Sequence, residues 1–574
     1  MADDIKLSPV ELIKAESQLL RGTIPQDLAD DSDQFAKPNT QLLKFHGTYQ
    51  QDDRDSRKSG KAYSMMTRTR IPGGRLTAEQ LLAHLDLCDT LGNATLKCTT
   101  RQALQLHGIL KSDLRETIRK INDVQLSTLA ACGDVNRNVM CCPAPIANDV
   151  YRELHRLTDA LKDHLAPRTK AYYELWLKDE ATGEETLVAG GKPDDAANVE
   201  AGDEEPIYGP TYLPRKFKIA VALPEDNCVD IYTNDLGFLA VVENGQVIGY
   251  NVSVGGGLGT TPSAAKTFPA LAKRMAFVTP DQAVGVAEAV VKVQRDNGNR
   301  EDRKIARLKY LIANRGIEWF RAEVEKYYGA KLQDCTEHDV YAVDDHMGWF
   351  PQGDGKFFYG WNVENGRLYD DNERRWKSAI REICAELNPG ICLTAHQSIL
   401  FTNLQENDRE RLEALITKHG LPLTEDISTV RRWSMACVAL PTCGLAVTES
   451  ERVLPNLMDE LETELAKLGL DKEAFTVRMT GCPNGCARPY NADIGLVGKT
   501  KGKYTVFLGG QLLGKRLNTI YKDLVPFEEI THTLVPLFAA FKQHRENKET
   551  FGDFCDRVGN DQLATWSEQY TSVV

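Results

Sequence analysis

The sequence predicts an α+β protein with a pseudo-twofold internal duplication, because one order of strands and helices occurs twice and two short motifs recur at one spacing. Apolar periodicity gives the order β-α-β-β-α in each half, which is the split βαβ or ferredoxin-like arrangement. Aligning Thr100-Arg-Gln102 with Ala395-His-Gln397 gives an offset of 295 residues, and aligning Met140-Cys-Cys142 with Met435-Ala-Cys437 gives the same offset. Two motifs that agree favour a diverged duplication over the alternative, a chance alignment.

The first half has three strands and two helices. Thr77-Ala-Glu-Gln80 is a capping-box pattern, so a helix begins there, and Gly92 ends it. Leucines at positions 81, 82, 85 and 91 form the apolar face of this helix. Alternating apolar residues predict strands over residues 63–71, 95–98 and 104–109, and the helical period returns over residues 112–122.

The second half repeats this order. It has predicted strands over residues 357–363, 391–394 and 398–402, and helices over 373–387 and 406–419. A related segment follows each half, with Asn234-Asp-Leu-Gly237 and a glycine run at 255–257 after the first. Ala492-Asp-Ile-Gly495 and Leu508-Gly-Gly-Gln511 follow the second. The duplication is therefore expected to cover whole halves and to place a cleft near the pseudo-twofold axis.

Five segments follow from these patterns. Residues 1–62 are polar and are predicted to form an arm. Residues 63–130 are predicted to form the first ferredoxin-like half, and residues 131–335 the α/β domain that follows it. Residues 336–425 predict the second ferredoxin-like half, and 426–574 the second α/β domain. A stretch rich in Gly, Ala, Asp and Glu, residues 179–205, predicts a solvated loop insertion.

Composition narrows the class of protein. The chain has 574 residues with 69 Lys plus Arg and 82 Asp plus Glu, a net charge of −13. Broad nucleic-acid binding needs a basic face and is disfavoured. The acidic N-terminus resembles neither a signal peptide nor a transit peptide, and no apolar run approaches the ~20 residues that span a bilayer. The fourteen cysteines are too sparse for a disulfide scaffold, so we expect a reducing, cytoplasmic location.

Four cysteines have the spacing of a metal centre. Five residues separate Cys437 from Cys443, and three separate Cys482 from Cys486. Four thiolates suit a [4Fe–4S] cube, with one ligand per iron. A structural zinc site is the alternative, although its pairs usually enclose two to four residues. The other ten cysteines are expected to be buried thiols.

Basic residues recur beside turns. Arg68 precedes a Pro-Gly-Gly turn, and Arg101 lies at a strand junction. In Arg215-Lys-Phe-Lys218, strand alternation places Lys216 and Lys218 on one face. Paired ammonium groups suit a small dianion or a polycarboxylate. The alternative for each is a solvated surface charge.

Several motifs together resemble the sulfite and nitrite reductase family, over nearly the whole chain. The matching motifs are Cys437-x5-Cys443, Thr480-Gly-Cys-Pro-Asn-Gly-Cys486, Arg68-Thr-Arg-Ile-Pro-Gly-Gly74, Thr100-Arg-Gln102, Asn136-Arg-Asn138, Leu213-Pro-Arg-Lys-Phe-Lys218, Arg21-Gly-Thr-Ile24 and the Phe45–Arg54 segment. The insertion at residues 179–205 is longer than is typical. The resemblance implies ferredoxin-like halves joined into one domain, with two related domains holding the cofactors.

The resemblance also implies roles for single residues. The cluster ligands would be Cys437, Cys443, Cys482 and Cys486, and Cys486 would also be the axial ligand of a sirohaem iron. Sulfite would be bound by Arg68, Arg137, Lys216 and Lys218. Neighbours of the sirohaem carboxylates or the cluster would be Arg101, Arg215, Arg307 and Asn484.

The implied activity is six-electron reduction of sulfite to sulfide in assimilatory sulfur metabolism and cysteine biosynthesis. The chain has no GxGxxG motif after a strand, so NADPH would be oxidised by a separate flavoprotein subunit. The arm resembles the segment that docks this partner. The alternatives are a ferredoxin-dependent sulfite or nitrite reductase and, in another class, a non-catalytic interaction protein whose cysteines hold zinc or a structural cluster.

Overall fold

The structure is a computed structural model that describes residues 6–168, 175–178, 182, 185–189, 205–261 and 264–570. The helices are α1 Pro9–Glu16, α2 Ile24–Ala29, α3 Lys37–Leu42, α4 Ala78–Thr90, α5 Leu114–Asp123, α6 Asp149–His164, α7 Ala283–Asn297, α8 Leu308–Arg315, α9 Ile317–Tyr328, α10 Trp376–Leu387, α11 Arg409–Lys418, α12 Thr429–Arg432, α13 Leu454–Leu468, α14 Ile530–His544, α15 Phe551–Val558 and α16 Asn560–Gln569. None of the helices in these ranges has the length and apolar character needed to cross a membrane.

The strands of the first half are β1 Thr48–Asp52, β2 Tyr63–Arg68, β3 Arg75–Leu76, β4 Leu96–Cys98, β5 Leu104–Ile109, β6 Met140–Cys141, β7 Leu175–Lys178, β8 Glu185–Ala189, β9 Ile219–Ala222, β10 Leu236–Glu243, β11 Gln246–Val254 and β12 Lys273–Val278. Those of the second half are β13 Gly348–Pro351, β14 Phe357–Trp361, β15 Arg367–Leu368, β16 Gly390–Leu393, β17 Ile399–Leu404, β18 Met435–Ala436, β19 Val477–Thr480, β20 Ile494–Thr500, β21 Lys503–Leu508 and β22 Thr519–Pro526.

The described strands form four five-stranded sheets and a two-stranded one. Their orders are β1-β2-β5-β4-β15, β13-β14-β17-β16-β3, β12-β11-β10-β9-β6, β18-β19-β20-β21-β22 and β7-β8. The first two are the ferredoxin-like sheets and the next two belong to the α/β domains. Each five-stranded sheet has a counterpart of matching order, so the predicted α+β fold with an internal duplication is confirmed.

The predicted helix start at Thr77 is observed in atomic detail. The Thr77 side chain accepts from the Gln80 backbone N–H, and the Gln80 side chain accepts from the Thr77 backbone N–H. This reciprocal pair satisfies two donors that a helix start otherwise leaves unpaired. Helix α4 then packs its leucines against a core that both ferredoxin-like sheets share.

The two ferredoxin-like halves exchange a short strand. β3 comes from the first half but pairs with β16 of the second, where Leu76 lies opposite Ile391. Reciprocally, β15 pairs with β4, where Leu368 lies opposite Leu96. Neither strand is predicted from the sequence, because two residues are too few to show a period.

The repeated glutamines make the same contact in each half. Gln102 Nε2 donates to the Cys141 carbonyl at 2.8 Å, and Gln102 Oε1 accepts from the Cys141 N–H at 3.0 Å. Gln397 forms the same pair with Ala436 at 2.9 and 3.2 Å. Both contacts join a ferredoxin-like half to the first strand of its α/β domain. The offset of 295 residues therefore relates residues that make the same contact in the two halves.

The N-terminal arm is more ordered than its polar sequence predicts. It contains helices α1 to α3, and β1 pairs with β2 as an edge strand, with Tyr49 opposite Met66. Lys14 is buried and donates to the Leu213 carbonyl at 2.9 Å. Leu20 and Phe45 belong to the core of the first α/β domain. The predicted insertion at residues 179–205 lies largely outside the described residues.

Candidate functional site

A cleft lined by residues of both halves lies between them. Six of the predicted site residues line this cleft, namely Arg101, Lys216, Lys218, Arg307, Asn484 and Cys486. Its other lining residues include Thr100, Met140, Asn234 and Arg488.

Contacts between the halves close this cleft. The Thr260 N–H donates to the Pro483 carbonyl at 3.0 Å, which joins the glycine-rich loop after β11 to the loop after β19. A Cβ atom at Gly259 would lie 3.0 Å from the Asn484 carbonyl oxygen. The Thr100 hydroxyl donates to the Cys486 carbonyl at 2.9 Å. Residues distant in sequence therefore build one site.

The predicted cysteines lie in two loops that begin at neighbouring strand ends. Cys437 follows β18 and Cys482 follows β19, and these strands are parallel neighbours. The Gly481 N–H donates to Cys437 Sγ at 3.3 Å, and Asn484 Nδ2 donates to Cys482 Sγ at 3.6 Å. Such donors stabilise thiolate sulfur and help to set the potential of an iron–sulfur centre.

The spacing of these sulfurs is wider than a single metal ion needs. Within the described ranges, three or more possible metal-ligand atoms lie within 4.8 Å of one another only at Cys142, Asp226, Cys228 and His346. Four sulfurs bound to one Zn²⁺ would lie about 3.8 Å apart. A cube with a separate iron for each sulfur accommodates the wider arrangement, so the geometry favours a cluster over zinc.

Burial and repulsion from a neighbouring thiolate disfavour the charged forms of Cys437 and Cys482. Burial raises the pKa of Cys437 well above its usual value, and the charge of a Cys486 thiolate raises it further. Burial, followed by the same neighbour, raises the pKa of Cys482 to about 12. Positively charged iron would stabilise the thiolates and so offset both the burial and the charge repulsion. These residues fit the group that the spacing predicts.

An arginine of the arm holds the first cysteine loop. Arg54 Nη2 donates to the Cys443 carbonyl at 3.1 Å, and Arg54 Nη1 donates to the Ala446 carbonyl. The Arg54 backbone N–H donates to the Pro441 carbonyl at 3.3 Å. Three donors from one arm residue thus fix the loop that carries Cys443.

The two lysines of the cleft have uncompensated charge. Lys216 and Lys218 are half-buried, and neither forms a side-chain hydrogen bond or ion pair with another described residue. Burial lowers the pKa of Lys216 to about 7, and Arg215 and Arg307 lower it further by charge repulsion. Burial and Lys216 lower the pKa of Lys218 as well. Unpaired cations in a half-buried cleft are stabilised when an anionic ligand binds beside them.

Two predicted arginines frame the same cleft. Arg101 donates to Asn234 Oδ1 at 3.0 Å and to the Ile219 carbonyl at 2.9 Å. Arg307 forms an ion pair with Asp235 at 2.6 Å. The Nε atoms of both arginines are buried and have no hydrogen-bond partner in the described part of the chain. The carboxylates of a tetrapyrrole would fit these unmatched donors.

The remaining predicted arginines form a second group beside the cleft. Arg68 Nη1 donates to Cys132 Sγ at 3.1 Å, and Arg137 hydrogen-bonds to Tyr49. Arg68, Arg137 and Arg215 all act electrostatically on Tyr49. None of these three lines the cleft itself, although the charges of Arg137 and Arg215 lower the pKa of Lys216.

The site also contains residues to which no single role was assigned from the sequence. Tyr49 and Cys132 lie among the three arginines. Tyr49 belongs to the Phe45–Arg54 segment, which carries the family resemblance but gives no role to this residue, and Cys132 belongs to no spaced motif. Lys309 donates to the carbonyls of Gly257 and Gly259, both at 2.9 Å, and so holds the glycine-rich loop. Arg488 could have been found, since it lies two residues beyond Cys486.

Arg488 also marks the junction of the halves. Its Nε atom lies 2.7 Å from Asp230 Oδ2, and Arg478 pairs with the same carboxylate at 2.8 Å. All three side chains are buried. Asp230 lies eight residues after β9, and Arg488 lies eight residues after the equivalent β19. The pair therefore joins two equivalent positions of the duplication.

Family models match both kinds of domain. The nitrite and sulphite reductase 4Fe-4S domain matches residues 156–332 and 428–574. The nitrite/sulfite reductase ferredoxin-like half domain matches residues 57–124 and 350–419. Each model occurs twice, as the duplication requires.

Similar proteins cover nearly the whole chain. The sulfite reductase [NADPH] hemoprotein beta-component of Staphylococcus saprophyticus is 45% identical over 562 residues, which cover 96% of each chain. The protein of the same description from Myxococcus xanthus is 45% identical over 561 residues, covering 96% of this chain and 97% of its own. The solved structure of Mycobacterium tuberculosis NirA protein has a TM-score of 0.78 and 26% identity, covering 97% of this chain and 98% of its own.

Proposed function

The chain belongs to the nitrite and sulphite reductase family, and we propose that within it the chain is the haemoprotein component of an NADPH-dependent sulfite reductase. It is an oxidoreductase that reduces sulfite to sulfide with six electrons, in sulfate assimilation and cysteine biosynthesis. The observation that carries this function is the cationic cleft, in which unpaired lysines lie beside Cys486.

The cofactors are sirohaem and one [4Fe–4S] cluster. The chemistry that such a pair supplies, when bound, is the delivery of single electrons to the substrate sulfur. We assign the cluster to Cys437, Cys443, Cys482 and Cys486, and the sirohaem iron to Cys486 as well. The exposure of Cys486 at the cleft supports this shared role, because the other three thiols do not line the cleft.

Lys216 and Lys218 hold the substrate anion and supply protons. Each oxygen atom of sulfite leaves as water and takes up two protons, so the site must deliver protons repeatedly. An ammonium whose pKa is about 7 gives up its proton far more readily than a guanidinium. Arg68 and Arg137, in the group of arginines beside the cleft, orient the anion. Arg101, Arg215, Arg307 and Asn484 hold the carboxylates and the cluster loop.

The substrate is tested with a neutral electron donor. We expect the holoenzyme to show chlorin-type absorption bands and to reduce sulfite with reduced methyl viologen. A kcat/KM for nitrite well above that for sulfite would assign the chain to nitrite reduction instead. A colourless protein with four-coordinate zinc at Cys437, Cys443, Cys482 and Cys486 would overturn the enzyme assignment.

The electron donor is proposed to be an NADPH-oxidising flavoprotein that docks over the first cysteine loop, in the cytoplasm. Leu445 and Val447 lie between Cys443 and β19 and are 66% and 41% exposed. Exposed apolar residues beside a redox centre suit a transient protein partner, because they bring it within reach of the cluster.

Leu445→Glu tests this docking surface. We expect KM for the flavoprotein to rise about tenfold, because a desolvated carboxylate is unfavourable in an interface. Turnover with methyl viologen should stay unchanged. Ile520→Glu, at a 57% exposed apolar residue of β22, is the matched control. An unchanged KM for the flavoprotein, or efficient turnover with reduced ferredoxin alone, would contradict the proposal.

A further inference from the structure

A second group of metal-ligand side chains lies where the first α/β domain meets the start of the second ferredoxin-like half. One ligand atom from each of Cys142, Asp226, Cys228 and His346 lies within 4.8 Å of all the others. All four residues are at most 6% exposed. Cys142 follows β6, Asp226 and Cys228 lie in the loop after β9, and His346 precedes β13. Three separate segments therefore converge on one buried point.

The duplication relates this group to the cluster cysteines. Met140 pairs with Ala220 between β6 and β9, and Met435 pairs with Arg478 between β18 and β19. Cys142 is the first residue after β6, as Cys437 is the first after β18. Cys228 is the sixth residue after β9, as Cys486 is the sixth after β19. Two of the four ligands thus occupy the positions that cluster cysteines occupy in the other half.

The distances between the ligand atoms are too short for a cluster and close to those around a single ion. Cys142 Sγ lies 2.6 Å from Asp226 Oδ2 and 3.4 Å from His346 Nε2, and the last two atoms lie 3.0 Å apart. Ligands of a tetrahedral Zn²⁺, with bonds of about 2.0–2.3 Å, lie about 3.3–3.8 Å from one another. An ion needs shifts of only about an ångström from these positions.

The carboxylate is held in the orientation that a ligand needs. Asp226 Oδ1 accepts from the N–H groups of Cys228 at 3.1 Å and Asp344 at 3.4 Å, which leaves Oδ2 facing the other three residues. Contacts of this kind orient metal ligands in proteins.

His346 is held in position as firmly as Asp226. His346 has a left-handed backbone, with φ of 60°, and its N–H donates to Asp344 Oδ1 at 2.8 Å. A non-glycine residue adopts this conformation only where its surroundings enforce it. Arg432 anchors the neighbouring Asp345 through contacts of 2.7 and 2.9 Å.

We propose that Cys142, Asp226, Cys228 and His346 bind one structural Zn²⁺. Two sulfurs, one imidazole nitrogen and one carboxylate oxygen form a complete tetrahedral set, and borderline-soft Zn²⁺ accepts all three donor types. The ion leaves no open position for substrate. It joins the segment between the halves to the sheet whose Met140 lines the cleft.

The test measures zinc and iron in the same holoenzyme. We expect about one zinc per chain, and X-ray absorption at the zinc edge should show about two sulfur neighbours near 2.3 Å and two lighter neighbours near 2.0–2.2 Å. Cys228→Ser and His346→Gln should each lose most of the zinc while iron content and the visible spectrum stay unchanged. Cys384→Ser, at a buried cysteine of α10, is the control and should keep its zinc.

Three results would overturn the proposal. The first is wild-type holoenzyme with less than about a tenth of a zinc per chain after incubation with Zn²⁺, which leaves only a hydrogen-bonded Asp226–His346 pair. The second is a Cys142–Cys228 disulfide in the purified protein, detected by mass. The third is zinc with four sulfur neighbours, which would place the ion at the cluster cysteines. The wild-type measurements decide the question even if a variant does not fold.

Discussion

Single charged residues decide the chemistry of the cleft. Lys216 and Arg137 both carry positive charge, but only the ammonium has a pKa, about 7, that allows proton release near neutrality. The chain is acidic overall, and it nevertheless concentrates unpaired cations in one place. The net charge of a protein therefore says little about the charge of its site.

Lys216→Ala should lower kcat for sulfite about a hundredfold with methyl viologen, because a proton donor is lost. The absorption spectrum should not change. Lys216→Arg should restore KM but not kcat, since it keeps the charge without a readily lost proton. Lys472→Ala, at a surface lysine, is the control. Equal turnover of the two alanine variants would refute the role of Lys216.

Asp134 shows how one buried carboxylate stabilises the arm and the site together. Arg303 binds both its oxygens at 2.6 and 2.8 Å, and Lys14 of the arm lies 3.8 Å away. Burial alone would raise the pKa of Asp134, but Arg303 and Lys14 lower it below its usual value. Because the folded-state pKa is lowered, the carboxylate stabilises the fold above the unfolded pKa of about 3.9 and loses this effect as pH falls through the folded value.

Asp134→Asn should therefore lower the free energy of unfolding by about 3–5 kcal/mol at pH 7, because Arg303 loses the carboxylate with which it pairs and Lys14 keeps only Glu11. Thermal unfolding of the holoenzyme measures the effect. The difference from wild type should shrink below about pH 4. Asp159→Asn, at a partly exposed ion pair with Arg75, should change little. A difference that grows as pH falls would contradict the assignment.

At the scale of elements, short loops between strands carry the ligands and distant segments hold them. Loop 437–443 depends on Arg54 of the arm, and the glycine-rich loop depends on Lys309. Ordered loops of this kind position the functional side chains, and the sheets beneath them are the rigid scaffold.

Arg54→Ala should speed the loss of iron from the cluster, because three hydrogen bonds to the loop reduce to one from the backbone. We expect the half-life of the cluster absorption in air to fall severalfold, with little change in thermal stability. Arg57→Ala removes an exposed arginine of the same arm segment and serves as the control. The same half-life in both variants would argue against a clamp.

Long periodic elements and spaced cysteines could be predicted from the sequence, and contacts between halves could not. The capping box at Thr77 and the 295-residue offset gave the duplicated fold correctly. The strand exchange of β3 and β15 escaped prediction because pairing partners lie about 300 residues apart and two residues show no period. Tyr49 and Cys132 escaped because only the folded chain brings them to Arg137.

For the whole molecule, strand exchange and a shared core predict that the ferredoxin-like halves fold together. A chain that ends at residue 347 lacks β16, so β3 has no partner and the core loses the side chains of α10 and α11. We expect this fragment to lack cooperative thermal unfolding by circular dichroism. A full chain cleaved in the exposed turn 353–355 should stay associated and cooperative. A stable, monomeric fragment would contradict this dependence.

The ion pair of Asp230 with Arg488 limits which halves can combine. The two residues are equivalents in the duplication, yet their charges are opposite. Two copies of the first half brought together about the same axis would set aspartate against aspartate, and two copies of the second would set arginine against arginine, both without solvent to screen them. Opposite charges at equivalent positions therefore favour pairing between the two different halves over pairing between identical halves. The same asymmetry that gives one catalytic cleft thus also guides how the halves assemble.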